Sequence, residues 1–341
     1  MTQEIDSKGN ESKKRVILTD YDLPEKARKV LLLGLGRKFE ICNFADFHKE
    51  LSDLVEIVLL ASPRSGLLSR ENLSLFKNLR MIQTLSAGVD YLNFEAIPRR
   101  VVVCGNVGAY AEQIAEHVFA MILCFSKNLI LQHQNLSKGI FSRKPDSRFV
   151  KAKTIAILGA GGIGKAVAKI AKAFGMRTIG INRSGKLARH FDSMFRMRNL
   201  NQVLGVSDFV VISLPLTKMT RNLIDRKRLA LMKKDCILVN VARGPIIVEE
   251  DLYKHLKANP DFKCALDVWW KYPEDRWNKK AKVKFSQHYP FFDLPNFLGT
   301  PHSSGDVPEG EEIAALQAAR NIVNFVKGRP VKGCADRSEY L

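Results

Sequence analysis

No apolar run in this 341-residue chain exceeds eight residues, and the longest is Val118–Phe125. A helix that crosses a bilayer needs about 20, so a membrane-spanning protein is excluded. The opening residues, MTQEIDSKGNESKK, lack the apolar segment of a secretory signal. Residues 1–14 read as a polar tail, and a cytoplasmic protein is expected. The six cysteines, at positions 42, 104, 124, 236, 264 and 334, form no Cys-x-x-Cys pair. Neither a zinc knuckle nor a redox motif is supported, and no metal site is expected; the thiols read as buried and reduced. Acidic residues are few: 35 Asp and Glu stand against 54 Lys and Arg, a net charge of +19. That excess favours anionic partners such as carboxylate substrates, phosphorylated cofactors, nucleic acid or acidic protein surfaces. The basic residues are scattered, with short clusters such as Lys279, Lys280, Lys282 and Lys284, and are not interleaved with aromatics. Nucleic acid is therefore not expected as the main partner.

What is present is an alternation of short β-branched runs with longer polar-apolar stretches. Strands are predicted at Arg15–Leu18, Ile57–Leu60, Met81–Thr84 and Val101–Val103. A helix is predicted over Ala111–Leu131, because Ala115, Val118, Ile122 and Phe125 recur at three- and four-residue spacing. Residues Ser137–Ala152 read as a polar, basic loop. A second series of strands follows at Thr154–Leu158, Thr178–Ile181, Phe209–Ile212, Ile237–Val241, Lys263–Val268 and Asn296–Leu298. The periodicity of Ile313, Leu316, Ala319, Ile322, Val323 and Val326 predicts a last helix over Glu309–Lys327. The pattern implies an α/β protein of two halves with parallel sheets.

The sharpest motif joins the strand Thr154–Leu158 to a helix that ends near Gly175: Gly159-Ala160-Gly161-Gly162-Ile163-Gly164. In a glycine turn of this kind Gly159 permits the tight bend, Gly161 lets a pyrophosphate approach the backbone, and Gly164 lets helix and strand pack closely. The free N–H groups of Gly162, Ile163 and their neighbours face the phosphates at the helix start. Gly159 to Lys165 also fits the start of a P-loop. That motif needs Ser or Thr next, to ligate magnesium, and Ala166 stands there, so nucleotide hydrolysis is rejected. The next strand ends Asn182-Arg183-Ser184. An NAD site wants Asp or Glu at this point for the ribose hydroxyl. Asn182 in place of a carboxylate, with Arg183 and Ser184 beside it, predicts NADP in preference to NAD. A pocket that takes NAD as well stays open, with Arg183 a solvated loop charge.

Several separated segments resemble the D-isomer-specific 2-hydroxyacid dehydrogenase family. They are Val239-Asn240-Val241-Ala242-Arg243-Gly244, Ala265-Leu266-Asp267-Val268-Trp269, and Leu294-Pro295-Asn296-Phe297 running on to Thr300-Pro301-His302. Ser207-Asp208-Phe209-Val210 with Leu214-Pro215-Leu216-Thr217 and Thr220 resembles the family's segment beneath the cofactor. Ser86-Ala87-Gly88-Val89-Asp90 resembles its substrate-carboxylate loop, and Ala115-Glu116-His117 its inter-domain helix. The resemblance runs from about Val16 to Lys327. It implies two Rossmann-like or flavodoxin-like domains: a substrate domain of residues 15–108 plus 306–341, and an inserted dinucleotide-binding domain of residues 109–305. It also implies an active site in the cleft and a homodimer joined through the cofactor domains. Leu214, Pro215, Thr220, Val241 and Asp267 are expected to line the cofactor. Ala87, Gly88 and Val89 are expected to offer N–H groups to the substrate carboxylate.

The implied chemistry suits these residue types. Reducing a 2-keto acid needs a fixed cation for the carboxylate and a proton donor for the ketone oxygen. Arg243 fits the first role, since a guanidinium stays charged and binds in a planar fork. His302 fits the second. His117 reads as a helix histidine with a structural partner. One departure stands out. Family members usually carry a Glu five residues after the Asp equivalent to Asp267, as partner to the His, and this chain has Tyr272 there with Glu274 two residues on. Three alternatives stay open: Glu274 bends in, Tyr272 orients His302 without a charge, or activity is weak. The expected function is an NADP-linked reductase of a small 2-keto acid, with glyoxylate and hydroxypyruvate as candidates and Ala61-Ser62-Pro63-Arg64 a candidate pocket lining. A dinucleotide-sensing regulator of corepressor type is the alternative from another class, and a formate dehydrogenase ranks lower.

Overall fold

A strand with successive apolar side chains needs a covering layer on each face, and β1 (Arg15–Thr19) carries such a run at Val16-Ile17-Leu18. Val16 and Leu18 enter one core and Ile17 the opposite one, all without exposed surface. The computed structural model describes residues 14–62, 65–143, 146–274 and 282–341. The chain forms two units, one holding the residues up to Ala109 together with Val307–Leu341, the other Tyr110–Asp306.

In the first unit β1 is joined by β2 (Phe39–Asn43), β3 (Val55–Leu60), β4 (Met81–Thr84) and β5 (Val102–Cys104). They form a parallel sheet in the order β2-β1-β3-β4-β5. Helix α1 (Glu25–Leu35) and the C-terminal helix Gly310–Val326 share the core on the Ile17 face, through Ala27, Leu31, Ala315, Ala318 and Ile322. A Cβ on Gly34 would stand 2.5 Å from the Val323 side chain, so glycine lets the two helices close up. Beyond β3 the chain passes through the short helix α2 (Arg70–Leu75), and Phe76 and Leu79 fill the opposite face. Asp20, just past β1, accepts hydrogen bonds from the Ala61 and Ser62 N–H groups and so fixes the exit of β3. Pro63 and Arg64 of the candidate pocket lining lie outside the described residues.

The second unit opens with helices α3 (Ala111–Ser126) and α4 (Leu129–Ser137). Its strands are β6 (Thr154–Leu158), β7 (Arg177–Asn182), β8 (Ser193–Arg196), β9 (Phe209–Ile212), β10 (Ile237–Asn240), β11 (Lys263–Leu266) and β12 (Phe297–Gly299). All pair in parallel, in the order β12-β11-β10-β9-β6-β7-β8. The connecting helices are α5 (Gly162–Ala173), α6 (Leu200–Val206), α7 (Arg226–Leu231) and α8 (Glu249–Ala258). The strand order reverses between β6 and β9. In a doubly wound sheet the crevice at the carboxyl ends of strands there is the natural place for a dinucleotide. Asp208, at the foot of β9, accepts from the Thr154 N–H at the foot of β6 and from the Lys233 ammonium, both at 2.8 Å. Burial opposes its charge, yet these two donors hold the carboxyl below the usual range.

The structure departs from the sequence expectations in three places. Helix α3 stops at Ser126, not Leu131: Asn128 takes a left-handed φ of 50°, and the chain resumes as α4 after a bend of 57°. Asn tolerates that conformation better than most side chains. Strands β2 and β8 were not expected. Both are sheet edges with mostly half-buried residues, so register with a neighbour defines them and no apolar run announces them. The cysteines are also less uniform than expected: Cys104, Cys236 and Cys264 are buried, Cys42 and Cys124 are half-buried and Cys334 is exposed.

Candidate active site

Five loops leave the carboxyl ends of β6, β9, β10, β11 and β12, and the candidate residues of the second unit stand mainly on them. The first is the glycine turn. Gly159 has φ +106°, and a Cβ there would stand 2.7 Å from the Ser213 carbonyl oxygen. A Cβ on Gly164 would collide with the Gly159 carbonyl oxygen, so the helix can start this close to the strand only with glycine. Gly161 is different: nothing lies within 4 Å of its would-be Cβ. Open space above an N-terminal helix residue is what a pyrophosphate needs, and the 12-residue α5 begins at the next residue. Ser213 latches the turn, its hydroxyl donating to the Gly159 carbonyl at 2.9 Å.

At the end of β7 the Asn182 side chain is committed to its own turn. Its carbonyl oxygen accepts from the Gly185 N–H at 2.5 Å and from the Ser184 hydroxyl at 3.3 Å. Arg183 and Ser184 are exposed on that turn. Arg196, paired in register with Asn182 from β8, donates to the Ser184 carbonyl at 3.1 Å. Arg196 could not be singled out from sequence, because β8 was not recognised. After β9, the Thr220 hydroxyl donates to the Pro215 carbonyl and accepts from the Thr217 N–H. Thr220 is buried and braces the loop on which half-buried Leu214 and exposed Pro215 stand.

Arg243 follows β10 on a loop clamped by one buried side chain. Asn240 accepts from the Ala242 N–H at 3.0 Å and donates to the Arg243 carbonyl at 2.9 Å. The guanidinium donates to the Ala242 carbonyl at 2.7 Å. Val241, beside it, is buried. At Gly244 a Cβ would collide with the backbone of Trp269 and Trp270, so the Arg243 loop lies directly against the loop after β11.

On that second loop Tyr272 turns back. Its hydroxyl oxygen accepts from the Trp269 N–H at 3.0 Å and stands 2.9 Å from Nδ1 of His302. A phenol has one proton and two lone pairs. With one lone pair on Trp269, the hydroxyl can donate to a neutral imidazole or accept from a protonated one. Tyr272 is thus a side chain that meets Nδ1 of His302. Glu274 is exposed and immediately precedes residues 275–281, which lie outside the described residues together with Lys279 and Lys280.

His302 itself has a left-handed φ of 61°. Such a backbone is held only where the surroundings over-determine it. The holder is Asp267, which has no exposed surface. Its carboxylate accepts from the Thr300 hydroxyl at 2.6 Å and from the Ser303 and Ser304 N–H groups at 2.9 and 3.1 Å. His117, on α3, is 3.1 Å from the Thr300 hydroxyl and thus has the structural partner expected of it. Asp267 was expected to line the cofactor, and its oxygens are directed at the His302 segment. They accept from Thr300, Ser303 and Ser304, on either side of exposed His302.

The family model for the D-isomer specific 2-hydroxyacid dehydrogenase, NAD binding domain, matches residues 119–304. A glyoxylate reductase of Pyrococcus furiosus is 30% identical over 290 residues, 82% of this chain and 83% of that one. A D-3-phosphoglycerate dehydrogenase of Methanocaldococcus jannaschii is also 30% identical, over 82% of this chain but 52% of its own length. A solved D-isomer specific 2-hydroxyacid dehydrogenase family protein of Aeromonas salmonicida superposes with a TM-score of 0.74 at 26% identity, covering 95% of this chain and 99% of that one. The chain belongs to the D-isomer-specific 2-hydroxyacid dehydrogenase family. It is thus an oxidoreductase with a Rossmann-type NAD-binding domain.

For a member of this family, the loop Ala87–Val89 belongs to the first unit, just after β4. The Ser86 hydroxyl donates to the Gly88 carbonyl at 2.9 Å and lies 3.0 Å from the Tyr91 hydroxyl. The Asn106 N–H donates to the Ser86 carbonyl at 2.8 Å. Ser86 and Tyr91 shape this loop although neither was singled out as a site residue from sequence.

Removing the Asp267 carboxylate takes the acceptor from the half-buried Ser303 N–H and the buried Ser304 N–H, at about 1–3 kcal/mol for each unsatisfied buried group. Asp267→Ala is expected to lose about 2–5 kcal/mol of stability, measured by denaturant unfolding. A loss below about 0.5 kcal/mol contradicts the bracing role.

Proposed function

We propose that this dehydrogenase is an NADP-preferring reductase of small 2-keto acids, with glyoxylate and hydroxypyruvate as first candidates. The observation that carries the proposal is the contact of Tyr272 with His302 on a loop packed against the Arg243 loop. It supports a proton donor and a fixed cation served by one scaffold. Arg243 grips the substrate carboxylate and draws electron density from the ketone. His302, protonated on both nitrogens, gives its Nε2 proton to the ketone oxygen. Tyr272 meanwhile accepts from Nδ1 and keeps the ring from turning. Gly161, Gly162, Ile163 and Gly164 receive the pyrophosphate, and the open space over Gly161 fits that group. When bound, the reduced nicotinamide dinucleotide supplies the hydride. The name of the Pyrococcus furiosus relative supports glyoxylate among the substrates.

Arg183 and the Ser184 hydroxyl take a 2′-phosphate, helped by Arg196 beside them, while Asn182 shapes the turn that presents them. A second copy of the chain covers the apolar side chains exposed on and after α4. Leu131, Leu136, Ile140 and Phe141 are 49, 59, 50 and 81% exposed, and an apolar patch rimmed by polar residues marks an interface. A chain that sediments as a monomer contradicts this homodimer.

The test is NADPH oxidation followed by absorbance with a panel of keto acids. Turnover is expected, and Arg243→Ala is expected to lower kcat/KM about 100-fold or more, the scale of a lost charged hydrogen bond. No turnover with any keto acid, or an Arg243→Ala variant as active as the parent, overturns the proposal. In the same assay the reduction rate falls as pH rises, because the donor must carry its proton. Tyr272→Glu sets a carboxylate against the imidazole and is expected to move this alkaline limb of kcat/KM to higher pH. An unmoved limb removes Tyr272 from His302. For the cofactor, Arg183→Ala is expected to raise KM for NADPH about tenfold more than KM for NADH. An unchanged ratio defeats the 2′-phosphate assignment.

A further inference from the structure

Cys104 is the last residue of β5, an edge strand of the first sheet. The chain beyond the C-terminal helix returns alongside it. The Gly105 N–H donates to the Gly333 carbonyl and the Ala335 N–H donates to the Val103 carbonyl, both at 2.9 Å. Cys104 and Cys334 therefore face each other as an antiparallel pair. The two hydrogen bonds flank the pair and do not join its members, which is the narrow kind of antiparallel site. Cα atoms at such sites stand about 4.5 Å apart, within the span a disulfide bridges. The two sulfurs are 3.3 Å apart.

The approach is built in. Gly333 has a φ of +74°, and a Cβ there would collide with the Gly105 carbonyl oxygen. The strap is also anchored downstream. Arg337 donates to the carbonyls of Pro98, Phe94 and Ile97, and Tyr340 stacks on Phe94 at 4.8 Å between ring centroids. The two thiols differ in access: Cys334 is exposed and Cys104 is buried. Burial, with Cys334 alongside, pushes the Cys104 thiol well above its ordinary range. The exposed sulfur is then the one that meets an oxidant first.

We propose that Cys104 and Cys334 are an oxidant-responsive thiol pair that closes into an intramolecular disulfide and fastens the C-terminal strap to β5. With a peroxide as oxidant, the Cys334 thiolate attacks one peroxide oxygen, the O–O bond breaks, and the departing oxygen leaves as water after taking a proton. The resulting sulfenic acid is attacked by the Cys104 sulfur; the S–S bond forms, the S–O bond breaks, and a second water leaves with the Cys104 proton. Two thiols and one hydrogen peroxide thus give one disulfide and two waters. The bond joins positions 230 residues apart and encloses the whole second unit in a covalent loop. Its main effect falls on the unfolded chain, whose freedom it restricts. This inference is independent of the proposed keto-acid chemistry.

The test uses the full chain, treated with hydrogen peroxide or with a thiol reductant and then denatured for thiol counting. Six free thiols are expected after reduction and four after peroxide, with a Cys104–Cys334 cross-linked peptide in a digest and faster migration on a non-reducing gel. Reductant restores all six. The oxidised form is expected to melt several degrees higher than the reduced one. Cys334→Ser, at an exposed position, is expected to fold, to keep its five thiols under peroxide and to melt at one temperature in both conditions. Six thiols after peroxide, a cross-link between other cysteines, chains joined through Cys334, or thiol loss that reductant does not reverse each overturns the proposal.

Discussion

A carboxylate with no exposed surface is the constraint on which the candidate site rests. Asp267 sits where β11 ends, and a charge placed there must find donors within the protein. It finds them on one short segment, Thr300 to Ser304, and in binding them it dictates the backbone on both sides of His302. The left-handed φ of His302 is a consequence. A residue in that conformation costs of order 1 kcal/mol or more, a small debit against three hydrogen bonds to a buried ion. The imidazole is thus aimed by a group that need not touch a substrate.

Close backbone approach is the second organising feature. Three glycines of the second unit stand where a methyl group would strike a carbonyl or a peptide: Gly159, Gly164 and Gly244. The first two draw α5 against β6 at the switch point of the sheet. The third presses the Arg243 loop onto the Trp269–Tyr272 loop. Overpacking costs about 1–3 kcal/mol where neighbours can give way, and a carbonyl in a sheet or helix start cannot. Glycine here serves contact between loops as much as freedom of φ. Together with the Asn240 clamp, these contacts tie the loops after β10, β11 and β12 into one scaffold.

Tyr272 ties that scaffold to His302. The phenol reaches Nδ1 of His302 at ordinary hydrogen-bond length while anchored by the Trp269 N–H. A hydroxyl can serve either protonation state of the ring by rotating, but it carries no charge to favour the protonated one.

Much of this was legible in the residues. The apolar runs of β1, β6, β9 and β10 announced themselves, because a strand buried on both faces is mostly apolar at successive positions. The glycine turn was legible because its close approaches admit only glycine, and Arg243 and His302 stood out as the residue types on which the proposed chemistry rests. The edge strands β2 and β8 were not, since half their surface faces solvent and pairing alone defines them; Arg196 went unseen with β8. The bracing role of Asp267 was equally hidden, for a buried and an exposed aspartate are the same letter. So was the contact of Tyr272 with His302, which depended on how one loop turns back. Local propensity and hydrophobic period are written along the chain. Which polar atom meets which across more than thirty positions is decided only when the sheet has assembled and its loops compete for the same donors.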